Sequence, residues 1–417
     1  MPTSVAHRGL PMIGRDPHEV HRAATPLELL YDLTFVVAFG AAGNEAAHFA
    51  AEGHWRTALV GFGFAMFAVI WAWIQNTWFA SAYDTDDWIY RLMTLVQMIG
   101  VLVLTLGLPP MYDSLDHGVE VDNGVMVLGY VIMRVGLIAL WMRAARQDPP
   151  RRRSALTYIT TLAAAQIGWI VLLVADTSIG VMFSVAAVLI LIELAGPYIA
   201  ETRVGGTPWH AHHVAERYGL LVIITLGEVI LGTVAALDAV VRADGWTMET
   251  ALVGLAGVGL AFGMWWMYFV IPYGDLLHRF RSRSFGWGYG HLPLLAALAA
   301  TGAGLHVAAL SIEGETHISL VAVVATTAVP VAVYVLSLYG LYSLLTREID
   351  PFHLWLLAGT AVCIVGAIAL AAIDAPLAGC LLVLTVAPAV TVVGYERVGH
   401  RHGAELLARS GADQPVE

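Results

Sequence analysis

Two carboxylates stand in a segment of the chain that is otherwise apolar. Residues 26–40 read P-L-E-L-L-Y-D-L-T-F-V-V-A-F-G and include Glu28 and Asp32. An ionised side chain in hydrocarbon costs on the order of a few kcal/mol unless it is paired, hydrated or neutralised, so acids in such segments are candidates for function. Their spacing of four residues places both on one face of a helix.

A second apolar stretch opens with a polar motif and holds another acid farther on. The motif is His212-His213-Val214-Ala215-Glu216-Arg217, and Glu228 follows after ten further residues. On a helix the spacing pairs His212 with Glu216 and His213 with Arg217. Glu228 lies deeper in the stretch, between Gly227 and Gly232, and it is the strongest single candidate for function. Glu28, Glu216 and Arg217 lie nearer the interface, where long side chains can reach water.

An arginine in the middle of an apolar stretch needs a counter-charge. Arg134 lies about ten residues into its stretch, and a guanidinium stays charged in a protein. Asp32, Glu193 and Glu228 are the candidate partners. Two interpretations stay open: a substrate-binding or charge-relay cluster, or a permanent ion pair that fixes helix packing.

These residues define the predicted sites. The predicted intramembrane polar network, for binding or coupling, comprises Asp32, Arg134, Glu193, Arg217, Glu228 and His291. Secondary candidates are Glu28, Glu45, His48, His212 and Glu216.

The motifs of enzymes and metal sites are missing from the sequence. Glu45-Ala-Ala-His48 has the Glu-x-x-His spacing of carboxylate-bridged metal bundles, but those need a second copy. The histidines of residues 210–213 favour helix capping or head-group contact over a metal site. No Gly-rich phosphate loop, serine nucleophile elbow or zinc-binding HExxH helix is present. We therefore predict no catalytic residue, metal or cofactor, and a protein that is not an enzyme.

Composition sets the class of protein. Hydrophobic residues make up 58% of the 417 residues, charged residues make up 13%, and the mean hydropathy is +0.72. A soluble domain carries roughly twice that charged fraction, and apolar stretches of about 20 residues, the length that crosses a bilayer, recur along the chain. The fold class is an all-α polytopic membrane protein whose partner is the lipid bilayer. The two cysteines, Cys363 and Cys380, lie in apolar segments and favour buried thiols.

Apolar windows between glycine, proline and charged residues predict twelve spans, although ten or fourteen would keep the same alternation of loops. They lie at 27–49, 57–80, 89–108, 124–143, 155–174, 178–200, 214–236, 249–271, 290–311, 317–343, 353–373 and 377–395. Of the 21 arginines, 17 fall in tails and loops of one side, and Arg56 and Arg242 fall on the other. The positive-inside rule then predicts cytoplasmic termini in the bacterial plasma membrane.

The first and seventh spans suggest an internal duplication. Residues 31–35 align with 218–222, and Ala58-Leu59-Val60-Gly61 recurs as Ala251-Leu252-Val253-Gly254. Six spans in each half give a parallel repeat, as in many secondary transporters with a site between the halves. The predicted divisions are a polar, mobile and cytoplasmic N-tail 1–25, a first half 26–200, a cytoplasmic linker 201–213, a second half 214–396 and a cytoplasmic C-tail 397–417. The alignment sets Asp32 at a depth similar to Arg217, so we predict contact between them.

Four ordered blocks resemble a known family. They are residues 26–39, H-H-V-A-E-R-Y-G-L-L-V-I-I-T-L-G-E-V-I at 212–230, W-W-M-Y-F at 265–269, and F-G-W-G-Y-G-H-L-P at 285–293. Together they resemble the bacterial low-temperature-requirement protein A family over most of the chain, although the second block has Gly-Glu-Val where Gly-Glu-Ser is expected. The resemblance implies a membrane protein named for growth in the cold, with no biochemical activity to transfer. The positions that match the family's signatures are Glu28, Tyr31, Asp32, His212, Glu216, Arg217, Gly227, Glu228, Tyr289, Gly290 and His291.

Two functions remain open. The first is a secondary transporter or permease that uses intramembrane carboxylates paired with Arg and His, with a proton or a small molecule as substrate. The second is a non-transporting sensor, scaffold or lipid-interacting protein that supports growth in the cold. We predict no nucleic-acid partner. The sequence is compatible with a homodimer.

Overall fold

The protein is helical throughout the part of the chain that the structure describes. This computed structural model describes residues 9–17, 19, 22–118, 120–175, 177–348 and 350–401, and no strand occurs among them. Of the predicted tails, residues 1–8, 18, 20, 21 and 402–417 lie outside the described residues. The helices are α1 (Pro26–Ala51), α2 (Trp55–Tyr83), α3 (Trp88–Leu106), α4 (Leu108–His117), α5 (Gly124–Gln147), α6 (Arg152–Val174), α7 (Ile179–Arg203), α8 (Ala211–Asp244), α9 (Met248–Phe269), α10 (Tyr273–Arg279), α11 (Ser284–Glu313), α12 (Leu320–Thr346), α13 (Pro351–Ala372) and α14 (Leu377–Gly394).

Twelve of these helical segments are long and apolar enough to cross a membrane, which confirms the predicted number of spans. The third span is interrupted at Gly107, between α3 and α4. Pro109 and Pro110 follow, and proline suits the first turn of a new helix because that turn needs no backbone donor. The seventh span is longer than predicted, since α8 contains 34 residues.

Contacts divide the chain into two compact units. One unit combines the chain up to Ala46 with His54–Tyr218, and the other combines Ala47–Gly53 with the chain from Gly219 onward. The first two turns of α8 therefore belong to the first unit. The six-plus-six repeat stays a prediction.

Aromatic packing fills one end of the first unit. Trp141 of α5 stacks on Tyr158 of α6 with ring centroids 4.1 Å apart, and Phe79 of α2 meets Trp141 edge-on at 4.8 Å. Offset stacking and edge-to-face contacts are the favoured arrangements of aromatic rings. This core fixes the ends of α2, α5 and α6 that lie on the arginine-rich side.

The segment before α1 is packed over the same core. Met12 is fully buried, the Leu10 amide donates to Asp87 Oδ2 at 3.0 Å, and the Gly14 amide donates to Asp148 Oδ2 at 3.1 Å. The sequence suggested a mobile polar tail, and for residues 9–17 that expectation is wrong. Backbone donors with fixed carboxylate partners hold an extended segment as firmly as a helix end would.

Small residues let helices approach closely in the second unit. A Cβ atom placed on Gly302 of α11 would overlap the carbonyl group of Glu228 on α8, and one on Gly304 would overlap the carbonyl group of Thr326 on α12. Glycine at such crossings is the usual means of helix packing in membranes, where lipid is as apolar as the side chains.

Candidate functional site

The start of α1 fixes the position of its two acids. The Thr25 amide donates to Glu28 Oε2 at 2.8 Å, and the Glu28 amide donates to Thr25 Oγ1 at 3.2 Å. These reciprocal bonds form a capping box, with Pro26 at the first helical position. Glu28 is thereby held in the first turn, and Asp32 follows one turn later on the same face.

Arg217 of α8 lies between both acids. Its Nη1 is 2.7 Å from Glu28 Oε1, and its Nη2 donates to Asp32 Oδ1 at 2.6 Å. Arg217 and Asp32 are fully buried, and Glu28 is 2% exposed. The structure therefore contains the predicted Asp32–Arg217 contact, with both residues in the first unit.

Two further side chains complete what we call the Asp32 cluster, namely Glu28, Asp32, Trp73, His213 and Arg217. Trp73 Nε1 of α2 donates to Asp32 Oδ1 at 2.7 Å. His213 Nε2 of α8 lies 3.1 Å from Glu28 Oε1, so the sequence-based pairing of His213 with Arg217 is replaced by a contact between helices. Asp32 Oδ2 has no hydrogen-bond partner among the described residues.

The charges of the Asp32 cluster are unequal. Two carboxylates face one guanidinium, and His213 is the other basic group of the cluster. Burial of net charge is unfavourable, so a bound proton or cation stabilises such an arrangement.

Polar groups connect the Asp32 cluster to the end of α2. His210 Nδ1 accepts from the His213 amide at 3.2 Å and so caps α8, while the His210 amide donates to Ser81 Oγ at 2.9 Å. The Arg22 guanidinium donates to the carbonyl oxygens of Ala80 and Ser81.

A buried acid lies beside this end of α2. Asp84 is 7% exposed and follows the last residue of the helix. Burial, and after it the nearby Glu28 carboxylate, raises the pKa of Asp84 to about 6. Burial lowers the pKa of His210.

In a second buried ion pair, both oxygens of the carboxylate accept hydrogen bonds. Arg134 Nη2 of α5 donates to Glu193 Oε2 of α7 at 2.6 Å, which confirms Glu193 as its partner among the three candidates. Trp71 Nε1 donates to Glu193 Oε2 at 2.6 Å, and Trp169 Nε1 donates to Glu193 Oε1 at 3.2 Å. The Arg134 guanidinium also lies 4.5 Å from the centre of the Tyr130 ring. A cavity of about 30 Å³ borders Glu193, Tyr130 and Trp169, enough for about one water molecule.

Helix α2 serves both buried sites through tryptophans two residues apart. Trp71 donates to Glu193 and Trp73 donates to Asp32. Sequence reasoning missed both tryptophans and His213 as site residues. The available signal was the pair of indole N–H groups in the middle of an apolar helix, because a buried indole usually has an acceptor.

Glu228 and His291 belong to the second unit, whereas both ion-paired clusters belong to the first. Glu228 is 8% exposed, and its Oε1 has no hydrogen-bond partner among the described residues. His291 is bonded on both ring nitrogens: Nδ1 lies 2.8 Å from the Trp287 carbonyl oxygen and Nε2 lies 3.0 Å from the Tyr268 hydroxyl. A carbonyl can only accept, so Nδ1 carries the hydrogen and Nε2 accepts from tyrosine. His291 is thus a core histidine with both ring nitrogens hydrogen-bonded, and it links α9 and α11.

The remaining secondary candidates lie outside the clusters. His48 is exposed and lies 3.7 Å from Glu52 Oε1. His212 and Glu216 are exposed on α8, and Glu45 is half-buried on α1. Within the described ranges, no group of three or more His, Cys, Asp or Glu side chains is arranged to hold a metal ion. Both cysteines are free thiols.

The second unit holds a larger pocket of about 230 Å³. Tyr339, Tyr342 and His353 are among its lining residues, and none of the predicted site residues lines it.

Comparison with known proteins agrees with the resemblance noted in the sequence. The chain is 24% identical over 292 residues to the uncharacterized protein RA0937 of Rhizobium meliloti (strain 1021), which covers 66% of this chain and 67% of that protein. No solved structure matches the chain with statistical significance. The sequence model of the bacterial low temperature requirement A proteins matches residues 23–388, a range that includes both buried clusters and Glu228. The chain therefore belongs to the bacterial low temperature requirement A protein (LtrA) family.

Proposed function

We propose that this protein is a proton-coupled secondary transporter or permease of the bacterial plasma membrane, with both termini in the cytoplasm. The observation that carries the proposal is the Asp32 cluster, in which two buried carboxylates share one arginine. Arg217 is the one base of the cluster that is permanently charged, so the second carboxylate is balanced only when a proton lies on His213 or on one of the acids. The additional acid gives this cluster a place for an exchangeable cation, of which the proton is the smallest.

The hydrogen bonds of the cluster support exchange at Asp32. One oxygen of Asp32 accepts from both Trp73 and Arg217, while its other oxygen has no partner among the described residues. That oxygen can bind a proton without the loss of either existing bond. A proton on Asp32 would weaken its attraction to Arg217 and leave Glu28 as the main counter-charge, so proton binding changes how α1 and α8 are held together.

Glu228 provides a second site for a proton. It lies eleven residues after Arg217 on α8, which is about three helical turns, and it is buried without a counter-charge among the described residues. Ionisable residues within spans commonly mark the pathways of ions and substrates. In the proposed mechanism, α8 carries Arg217 of the Asp32 cluster near its start. It carries Glu228, which has no counter-charge among the described residues, farther along.

The test is transport by the purified full-length protein in proteoliposomes. A panel of amino acids, organic acids, amines, sugars and monovalent cations would be applied under an imposed pH gradient, with a trapped pH-sensitive dye and solid-supported-membrane currents as readouts. We expect one solute class to move protons, and we expect Asp32→Asn and Glu228→Gln to remove that coupling. Glu216→Gln is the matched control, because Glu216 is an exposed acid next to Arg217.

Two results would overturn the proposal. In one, the wild-type protein moves neither protons nor any solute of the panel. In the other, Asp32→Asn and Glu228→Gln transport as well as Glu216→Gln.

A non-transporting sensor, scaffold or lipid-interacting protein is the second candidate, and the Arg134–Glu193 pair favours it. Both oxygens of Glu193 accept hydrogen bonds, the charges balance, and the neighbouring cavity holds about one water molecule. Such a site is suited to holding four helices together. If the protein is only a scaffold, charge-neutral variants at the Asp32 cluster should change its stability and leave the proteoliposomes as tight to protons as before.

A further inference from the structure

A groove runs between α9 and α14 in the second unit. It has a volume of about 490 Å³ and is lined by Gly259, Phe262, Gly263 and Trp266 on α9, and by residues from Thr385 to Arg397 on α14 and the turn after it. Thr385 and Pro388 of α14 pack directly against Gly259 and Gly263, so closely that a Cβ atom on either glycine would overlap them. The groove follows this close crossing of the two helices.

The sides of the groove are apolar and exposed. Phe262 is 54% exposed and Val393 is 48% exposed, and both belong to helices of membrane-spanning length. In a bilayer such residues contact acyl chains, and an empty trough would lose the dispersion contacts of its walls. A chain-like apolar group is therefore the natural occupant of the groove.

The groove ends at a pair of opposite charges. Trp266 Nε1 donates to Glu396 Oε1 at 3.1 Å, and Arg397 is the next residue. Both charged residues are exposed, and within the described part of the chain no carboxylate forms an ion pair with Arg397. They lie in a π-helical turn, Tyr395–Gly399, and wide turns of this kind are frequent at functional sites.

We propose that this groove binds one phospholipid whose head group carries a phosphate and a primary ammonium, as in phosphatidylethanolamine. An acyl chain lies along Gly259 and Gly263, the phosphate pairs with Arg397, and the ammonium donates to the Glu396 oxygen that Trp266 does not use. A head group with both charges matches the Glu396–Arg397 pair. A quaternary ammonium has no N–H to donate, and a glycerol head group carries no cation, so both should bind less well.

Native mass spectrometry of the purified full-length protein tests the proposal. Detergent-solubilised protein would be titrated with phosphatidylethanolamine, phosphatidylcholine and phosphatidylglycerol that have identical acyl chains. We expect phosphatidylethanolamine to be retained best, and we expect Arg397→Gln to lower its retention about tenfold, the effect of losing one charge-assisted hydrogen bond. Arg401→Gln is the control, because Arg401 is a nearby exposed arginine that does not line the groove.

A second variant tests the groove itself. Ala389 lines the groove and is exposed, so Ala389→Leu adds volume there without disturbing the core. We expect it to displace the lipid while the size-exclusion profile stays unchanged. The proposal is overturned if Arg397→Gln and Arg401→Gln bind alike, if phosphatidylglycerol is preferred, or if a second copy of the chain occupies the groove and Ala389→Leu dissociates that dimer.

Discussion

At Arg217 a single guanidinium lies between two carboxylates from another helix. Replacement by alanine would leave Glu28 and Asp32 buried together without a counter-charge. Removal of one partner from a buried ion pair typically costs roughly 3–5 kcal/mol. We therefore expect Arg217→Ala to lower the melting temperature of the detergent-solubilised protein strongly, measured by the fluorescence of its tryptophans.

A charge-neutral variant separates electrostatics from packing at the same position. The triple substitution Glu28→Gln, Asp32→Asn and Arg217→Gln removes all three charges. It keeps the volumes of the two acids and shortens the side chain at position 217. It should be more stable than Arg217→Ala, and Asp32→Asn alone should be the mildest change, because the asparagine oxygen can still accept from Trp73. A wild-type melting temperature for Arg217→Ala would contradict this account of the cluster.

Asp84 makes the folded protein less stable as the pH rises. Burial raises its pKa from 3.8 to about 6 in the folded protein, so the folded state disfavours its carboxylate form. The contribution of Asp84 to stability is full below about pH 4 and is lost as the pH rises through about 6. The shift corresponds to roughly 3 kcal/mol.

The substitution Asp84→Asn removes this titration. We expect the melting temperature of the variant, relative to wild type, to increase between pH 4.5 and pH 7.5. Asp113→Asn is the control, because Asp113 is an exposed acid of α4. An Asp84→Asn difference that is constant across this pH range would show that Asp84 does not titrate there.

The candidate site could be predicted in part from residue types. Acids and arginines within apolar stretches identified Asp32, Arg134, Glu193 and Arg217, because buried charges need partners whatever the fold. The partners Trp71, Trp73 and His213 were missed, since tryptophan and histidine also occur as ordinary core or interfacial residues. For His291 the error was the opposite one. It was predicted as a site residue because it lies within an apolar helix, yet both of its ring nitrogens are hydrogen-bonded within the core.

At the scale of elements, close packing of α8 against α11 depends on a glycine in each helix, Gly232 and Gly302. A Cβ atom at Gly302 would overlap the backbone carbonyl of Glu228, which cannot move without displacement of the helix. We expect Gly302→Ala to destabilise the protein by about 1–3 kcal/mol, the usual cost of overpacking. The measurement is the melting temperature in detergent.

Gly340 of α12 provides the matched control, since a Cβ atom there would meet no atom within 4 Å. Alanine is favoured over glycine in a helix by roughly 1 kcal/mol, so Gly340→Ala should be neutral or stabilising. Equal effects of the two substitutions would mean that the crossing at Gly302 is not tightly packed.

Helix positions were more predictable than their ends. Twelve long apolar segments follow from hydropathy, since a span needs about 20 apolar residues. The break at Gly107 and the packed segment around Met12 were not predicted. Each depends on contacts distant in the sequence, such as the Met12 amide with Gln147 Oε1 at 2.6 Å.

At the scale of the whole molecule, the internal repeat remains a prediction. The aligned segments are short and rich in Gly, Ala, Leu and Val, residues that most membrane helices share. The division into two units also does not coincide with the predicted halves, because residues up to Tyr218 belong to the first unit and Ala47–Gly53 to the second. The hydropathy of the sequence predicts where helices begin and end. The boundaries of the two units depend instead on which side chains pack together.

The distribution of arginines predicts the orientation of the molecule in the membrane. Seventeen of 21 lie in tails and loops of one side, and positively charged loops are retained in the cytoplasm. Cysteine labelling tests this orientation. In a background with Cys363→Ser and Cys380→Ala, one variant would carry Glu315→Cys, in the loop before α12. A second variant would carry Arg152→Cys, at the start of α6, and both positions are exposed. In intact cells a membrane-impermeant maleimide should label the cysteine at 315 and leave the one at 152 unlabelled, while permeabilised cells should show both labelled. The reverse pattern would place the termini outside the cell, and the Asp32 cluster would then lie near the outer end of its helices.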